Sequence, residues 1–181
     1  MLHALILYNQ PVLDADDPDR ASEAGVLDSV RAFADALNGS GGRAEAFGLG
    51  DDVRPLIDRW TAADRPDVVV NFCEGFGGRP VGEAYVAGLL EMLGAPYTGS
   101  GPETLALALD KRRVKLLLRG AGIPTASFAY VGADDPVPSW MFDEADHLFV
   151  KPAAEDASLG VDAESVVSSA EQLRRKVEQV R

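Results

Sequence analysis

A chain of 181 residues, 46% hydrophobic and 25% charged, has an ordinary globular composition and enough length for a real core in one or two domains. A formal net charge of −12 argues against a nucleic-acid surface and against an anionic membrane, although a local basic pocket for an anionic nucleotide remains compatible with it. One cysteine, Cys73, leaves no disulfide within the chain and suits a reducing compartment; with no apolar run of membrane-spanning length, a soluble cytoplasmic protein is the expectation.

The N-terminus, MLHALILYNQP, lacks a basic leader and reads as a first strand over residues 2–8, continuously apolar as in a strand buried on both faces. Residues 9–20, with two prolines and four aspartates, form a solvated loop. Leu27, Val30, Ala34 and Leu37 recur at helical spacing within residues 22–37, and the NGSGG run at 38–42 breaks that helix. A strand over 43–47, a helix over 51–62 and a β-branched strand over 67–72 follow, then a helix over 82–93. This alternation predicts an α/β fold with a parallel, doubly wound sheet and ligands at the carboxyl ends of its strands.

Residues 92–124 carry the densest signal. Gly94 supplies a left-handed helix stop, residues 95–98 a short strand, and Gly99-Ser100-Gly101-Pro102 a turn. A small-residue helix over 103–109 leads to Asp110, which can N-cap a helix over 111–119. Helix starts attract anions through N–H groups that lack internal partners, so Lys111 reads as a phosphate-facing charge or, more simply, as a surface lysine paired with a carboxylate. Beyond Pro124 the pattern changes to a small α+β unit: strands at 127–131, 147–151 and 159–162, a short helix at 140–145 and a helix at 168–180 aligning Ala170, Leu173, Val177 and Val180. The boundary is expected near residues 120–124, giving domains 1–121 and 122–181.

Only four of the 17 basic residues are lysines (Lys111, Lys115, Lys151 and Lys176), and a compact ammonium suits a phosphate oxygen in a way Arg's planar fork does not. Lys151 ends the apolar run Leu148-Phe149-Val150, where a lysine at a strand mouth faces a cleft. After the third strand comes Asn71-Phe72-Cys73-Glu74-Gly75-Phe76-Gly77-Gly78, whose glycines either let backbone approach an anionic ligand or make a plain turn before a helix. His3 and His147 have no partners at metal-ligand spacing, and Cys73 reads as a small buried hydrophobe.

PYTGSG at 96–101, the small-residue helix, Asp110-Lys111 and Val150-Lys151-Pro152, in that order, resemble the D-alanine–D-alanine ligases of the ATP-grasp superfamily, most strongly over residues 67–160. The resemblance implies a Rossmann-like pre-ATP-grasp domain followed by a small, incomplete α+β ATP-grasp subdomain. It implies ATP-dependent joining of an amino-acid-like carboxylate to an amine through an acyl phosphate. Lys111, Lys151, Glu155 and Ser158 then contact ATP; Ser158 and Glu23 are the catalytic candidates, with Glu23 the looser match. Glu74 and Gly75 border the amino-acid substrates, Glu74 standing where the family has a histidine. Ala157 and Asp156 replace the family's first serine and the preceding glycine, which points to another substrate. Mg2+ ligands are expected beyond Arg181, so no metal residue is assigned and the 181-residue chain alone is expected to be inactive. The last helix is expected to expose an apolar stripe that a missing part would cover, and a homodimer is a further expectation. The alternative is a non-catalytic module of the same fold that binds a small molecule or a partner.

Overall fold

The computed structural model describes residues 1–10, 25–155 and 160–181, and the chain divides into two units, Met1–Leu109 and Asp110–Arg181. In the first, β1 (His3–Asn9), α1 (Val26–Gly39), β2 (Arg43–Leu49), α2 (Arg54–Thr61), β3 (Val68–Phe72), α3 (Gly82–Met92) and α4 (Pro102–Leu109) alternate as the periodicities predict. The strands are parallel in the order β2-β1-β3, with Leu5 opposite Glu45 and Val69, and Leu7 opposite Phe47 and Asn71. β1 carries no polar side chain between His3 and Tyr8 because it is the central strand, covered on both faces. On one face Leu5, Leu7 and Val69 meet Leu56 and Trp60 of α2 and Val86 and Leu90 of α3. On the other, Ile6 meets Val26 and Val30 of α1.

The expected strand at 95–98 is a single bridge between Val69 and Tyr97, with Val69 N donating to Pro96 O at 2.8 Å and Thr98 N to Val69 O at 3.0 Å. Pro96 has no N–H to extend the ladder, and Gly99, at φ 106°, turns the chain away. Gly94 at φ 61° ends α3, as its position predicts.

The second unit holds α5 (Lys111–Gly120), β4 (Leu148–Phe149), β5 (Val166–Val167) and α6 (Ala170–Val180), with 3-10 turns at Ser139–Asp143 and Ala163–Ser165. β4 and β5 form an antiparallel ribbon, Leu148 opposite Val167 and Phe149 opposite Val166. One face of the ribbon is inward: Val167, Leu173 and Val177 form a small core with Val131, Val137, Phe142, Leu148 and Val150 packed on it. Leu173 and Val177 are therefore covered within this unit, against the expectation that α6 needs a missing part to hide its stripe. The exposed apolar pair is instead Phe149 and Val166, on the ribbon's other face.

Two expected strands are corrected. Residues 127–131 have no ladder partner among the described residues; Lys115 Nζ donates to Thr125 Oγ1 at 2.9 Å and to Ala126 O at 2.8 Å just before them. Cations of α5 then lie over the aromatic rings of the segment, Arg112 over Tyr130 at 4.7 Å and Lys115 over Phe128 at 5.2 Å. The segment read as a strand in the sequence therefore lies against cations of α5 and has no strand beside it among the described residues. Of the strand expected at 159–162, Leu159 lies outside the described residues and 160–162 form no strand; β5 falls at Val166–Val167, after a 3-10 turn in which the capping box of Asp162 and Ser165 engages their backbone donors. The same interactions of Lys115 group α5 with the second unit, so the contact division falls at Leu109/Asp110, ahead of the glycine-proline segment.

Candidate functional site

The sequence-predicted residues fall at two places, one in each unit, and Glu23, Ser158, Ala157 and Asp156 lie outside the described residues.

In the first unit the place is the carboxyl edge of the sheet. From β1 the chain crosses to β2 on one side and later to β3 on the other, so the connections diverge between β1 and β3, the position where open parallel sheets leave a crevice. Three polar side chains organise the backbone there. Asn9, the last residue of β1, accepts from Glu74 N through Oδ1 at 3.0 Å. Asn71 Oδ1 accepts from Cys73 N at 3.1 Å, and Thr98 Oγ1 accepts from Asn71 N at 3.0 Å. These bonds fix the start of the loop carrying Glu74 and Gly75, with Glu74 exposed and Gly75 buried.

The loop's glycines act sterically. Gly77 and Gly78, at φ 59° and 69°, make a two-residue turn closed by reciprocal 3.1 Å bonds between Phe76 and Arg79. A Cβ on Gly82 would lie 2.4 Å from Phe76 N, so only glycine lets this turn seat on the start of α3. Of the two readings of the glycine run, the turn accounts for Gly77 and Gly78. Cys73, 4% exposed, is no nucleophile: burial, then the charges of Glu83 and Glu74, push its thiol up to about 12.

In the second unit the place is the start of α5. Asp110 caps it as predicted, its Oδ1 accepting from Arg113 N at 3.0 Å. Lys111 N donates to Ala153 O at 3.0 Å, and Lys111 Nζ donates to Glu155 O. The first residue of α5 is thus joined to Ala153 and Glu155, in the segment directly following Lys151 and Pro152. The N–H groups of Lys111 and Arg113 already have acceptors, and the first turn of α5 carries the positive charges of Lys111, Arg112 and Arg113. The strand expected at 147–151 is confined to β4, Leu148–Phe149, and Lys151 lies two residues beyond it, exposed.

Asn9, Thr98 and the Asp162–Lys176 pair were missed from the sequence. Their partners are 65, 27 and 14 positions away, and no local spacing announces them. Lys176, one of the four lysines, is 4% exposed and donates to both carboxylate oxygens of Asp162 at 2.8 Å, a structural role. Among the described residues no group of three His, Cys, Asp or Glu is placed to hold a metal ion. Among them, too, no helix is long and apolar enough to cross a membrane.

No protein-family model matches the chain. It is 32% identical over 158 residues to the D-alanine–D-alanine ligase of Acinetobacter baumannii strain AYE, covering 87% of this chain and 47% of that protein. It is 35% identical over 147 residues to that of Pseudomonas putida strain GB-1, covering 81% and 43%. The chain therefore spans just under half the length of these curated relatives. Among solved structures it is similar to the D-alanine–D-alanine ligase from Bacillus anthracis complexed with ATP, with a TM-score of 0.69 at 21% identity, covering 99% of this chain and 55% of that one. The ligase from Coxiella burnetii gives a TM-score of 0.66 at 18% identity, covering 99% and 60%. These two structural likenesses carry the fold.

Proposed function

The chain belongs to the D-alanine–D-alanine ligase family, and from that premise we propose that it is the N-terminal portion of an ATP-dependent carboxylate–amine ligase. In the reaction a carboxylate oxygen attacks the γ-phosphorus of ATP, the bond to the β-phosphate oxygen breaks, and ADP leaves. The amine of the second substrate then attacks the acyl phosphate carbon, the carbon–oxygen bond to phosphate breaks, and the amine's proton is lost as the amide forms. Developing charge on the transferring phosphoryl group needs fixed positive charge beside it. Lys111 and Lys151 supply that charge, and Glu74 and Gly75 border the amino-acid-like substrates. Glu23 and Ser158 keep their proposed catalytic roles, and Glu155 holds Lys111 through its main-chain carbonyl. The described residues do not fit a Mg2+ site, so no step is routed through one.

The observation that supports this reading best is the bond from Lys111 N to Ala153 O, which ties the start of α5 to the backbone two residues beyond Lys151. The test is ADP release by the protein carrying this chain, with an amino-acid panel. Lys111→Ala and Lys151→Ala are each expected to lower kcat/KM for ATP by at least about tenfold, the scale of one lost charge-assisted contact. Turnover unchanged in both variants would remove the lysines from the site, and absence of ADP release with every amino acid would remove the ligase reading.

A further inference from the structure

Lys151 is exposed, and a lysine side chain in water rotates freely, so where its ammonium sits depends on how firmly its backbone is held. Here the backbone is held on both sides. Before it, Val150 N donates to Ser165 O at 2.8 Å, and the Val150 side chain packs on the core of Val167, Leu173 and Val177. After it, the Pro152 ring fixes its own φ and biases Lys151 towards extended backbone. Ala153 O then accepts from Lys111 N at 3.0 Å.

Pro152 is in turn seated by Gly160. This glycine has φ 68°, and a Cβ on it would lie 2.7 Å from Pro152 Cγ and 3.5 Å from Cδ. The shorter distance is well inside van der Waals contact, and a pyrrolidine ring cannot swing aside as the end of a flexible side chain can. Left-handed backbone alone does not create such a contact. Every other glycine of positive φ among the described residues has nothing within 4 Å of its absent Cβ. Glycine is thus required twice at this position, once by φ and once by the ring it faces.

We propose that Gly160 is a positioning residue for Lys151: by admitting the Pro152 ring it sets the backbone from which the Lys151 ammonium meets a phosphate oxygen of ATP. This rests on the nucleotide reading of Lys151 given above. A side chain at 160 pushes on Pro152, and the displacement passes through one peptide bond to Lys151, while the ammonium itself keeps its charge.

The test is acylation of lysines by an N-hydroxysuccinimide ester, read by mass spectrometry on the protein carrying this chain, with and without ATP. In the unsubstituted protein ATP should slow modification of Lys151. Gly160→Ala should raise the ATP concentration for half-protection by about tenfold or more, the scale of one lost charge-assisted contact. Pro152→Ala removes the ring atoms that the new Cβ meets and leaves the φ of residue 160 as it is. Alone it should raise that concentration about two- to threefold, and the double variant should return to this smaller value, because neighbours in contact are not additive. Lys176, buried against Asp162, should stay unmodified and so reports an intact second unit. If Lys176 reacts in Gly160→Ala, the small rise in Pro152→Ala carries the test, and no rise there overturns the proposal. A loss in Gly160→Ala that Pro152→Ala does not relieve would assign the effect to backbone strain and overturn the route through Pro152. Half-protection unchanged in Gly160→Ala, or no protection of Lys151 by ATP at all, overturns it outright. The expected protection pattern without ADP release for any amino acid keeps the positioning role and rejects the ligase.

Discussion

The two units reach stability by different means. The first buries Leu5, Ile6 and Leu7 completely between helices on both faces of a parallel sheet, and its polar side chains sit at the strand ends. The second has a two-residue ribbon on a small core, and polar groups do much of the joining: the Asp162–Lys176 pair, the Asp162–Ser165 capping box, and the cations of α5 over Phe128 and Tyr130. Burial is insensitive to pH and salt, whereas ion pairs and cation–ring contacts respond to both. Two units of one chain should therefore answer differently to the same perturbation.

The largest expected effect comes from the cores. Leu7→Ala should cost about 3–5 kcal/mol in the first unit, where a fully enclosed side chain leaves a cavity that the flanking strands cannot close. Leu173→Ala should cost about 2–4 kcal/mol, at the lower end because the small core can collapse around it. Denaturant titration followed by peptide-resolved hydrogen exchange checks both. Each substitution should raise exchange in its own unit first, and a single transition spanning both units would break the comparison.

Acid should sharpen it. The Lys176 ammonium, through its hydrogen bonds, holds the exposed Asp162 carboxyl below its ordinary range, and the Glu164 N–H adds to the effect. A carboxylate whose pKa is depressed on folding contributes stability that is present above the unfolded value, near about 4, and is lost as pH falls through the folded value. Glu45 in the first unit behaves with the same sign, held down chiefly by Arg59, whose Nε and Nη2 donate to it at 2.6 and 2.7 Å. Below about pH 4 Asp162→Asn should therefore flatten the melting temperature of the second unit against pH, and Glu45→Gln should do so less in the first, where burial dominates. Equal flattening in both would mean that the second unit is no more dependent on its ion pair.

The smallest effect concerns Cys73. With its thiol pushed up to about 12, it should resist alkylation at about pH 8 in the native protein and react only as the first unit opens. Its modification rate then reports that opening alone. Fast native labelling would contradict the burial of the β3 end.

Much of the site was legible where its parts are close in sequence. Asp110 capping α5 and Gly94 ending α3 are each decided within about one turn of chain, so residue type and spacing suffice. Residues 127–131 show the limit, because a strand-like stretch of sequence says nothing about whether a neighbouring strand exists to bond the backbone. Lys176 shows it again: its position on α6 marks a surface lysine, and only the approach of Asp162 makes burial tolerable.

By itself the sequence determined the alternation of strands and helices, the parallel sheet, the caps and stops, and the family, since all of these follow from local periodicity or from ordered motifs. Tertiary structure alone decided that Asn9 holds Glu74, that Ala153 receives Lys111, and that the exposed apolar face of the ribbon is Phe149 and Val166. Those contacts depend on which distant backbone groups are brought within about 3 Å, a distance set by packing of whole elements.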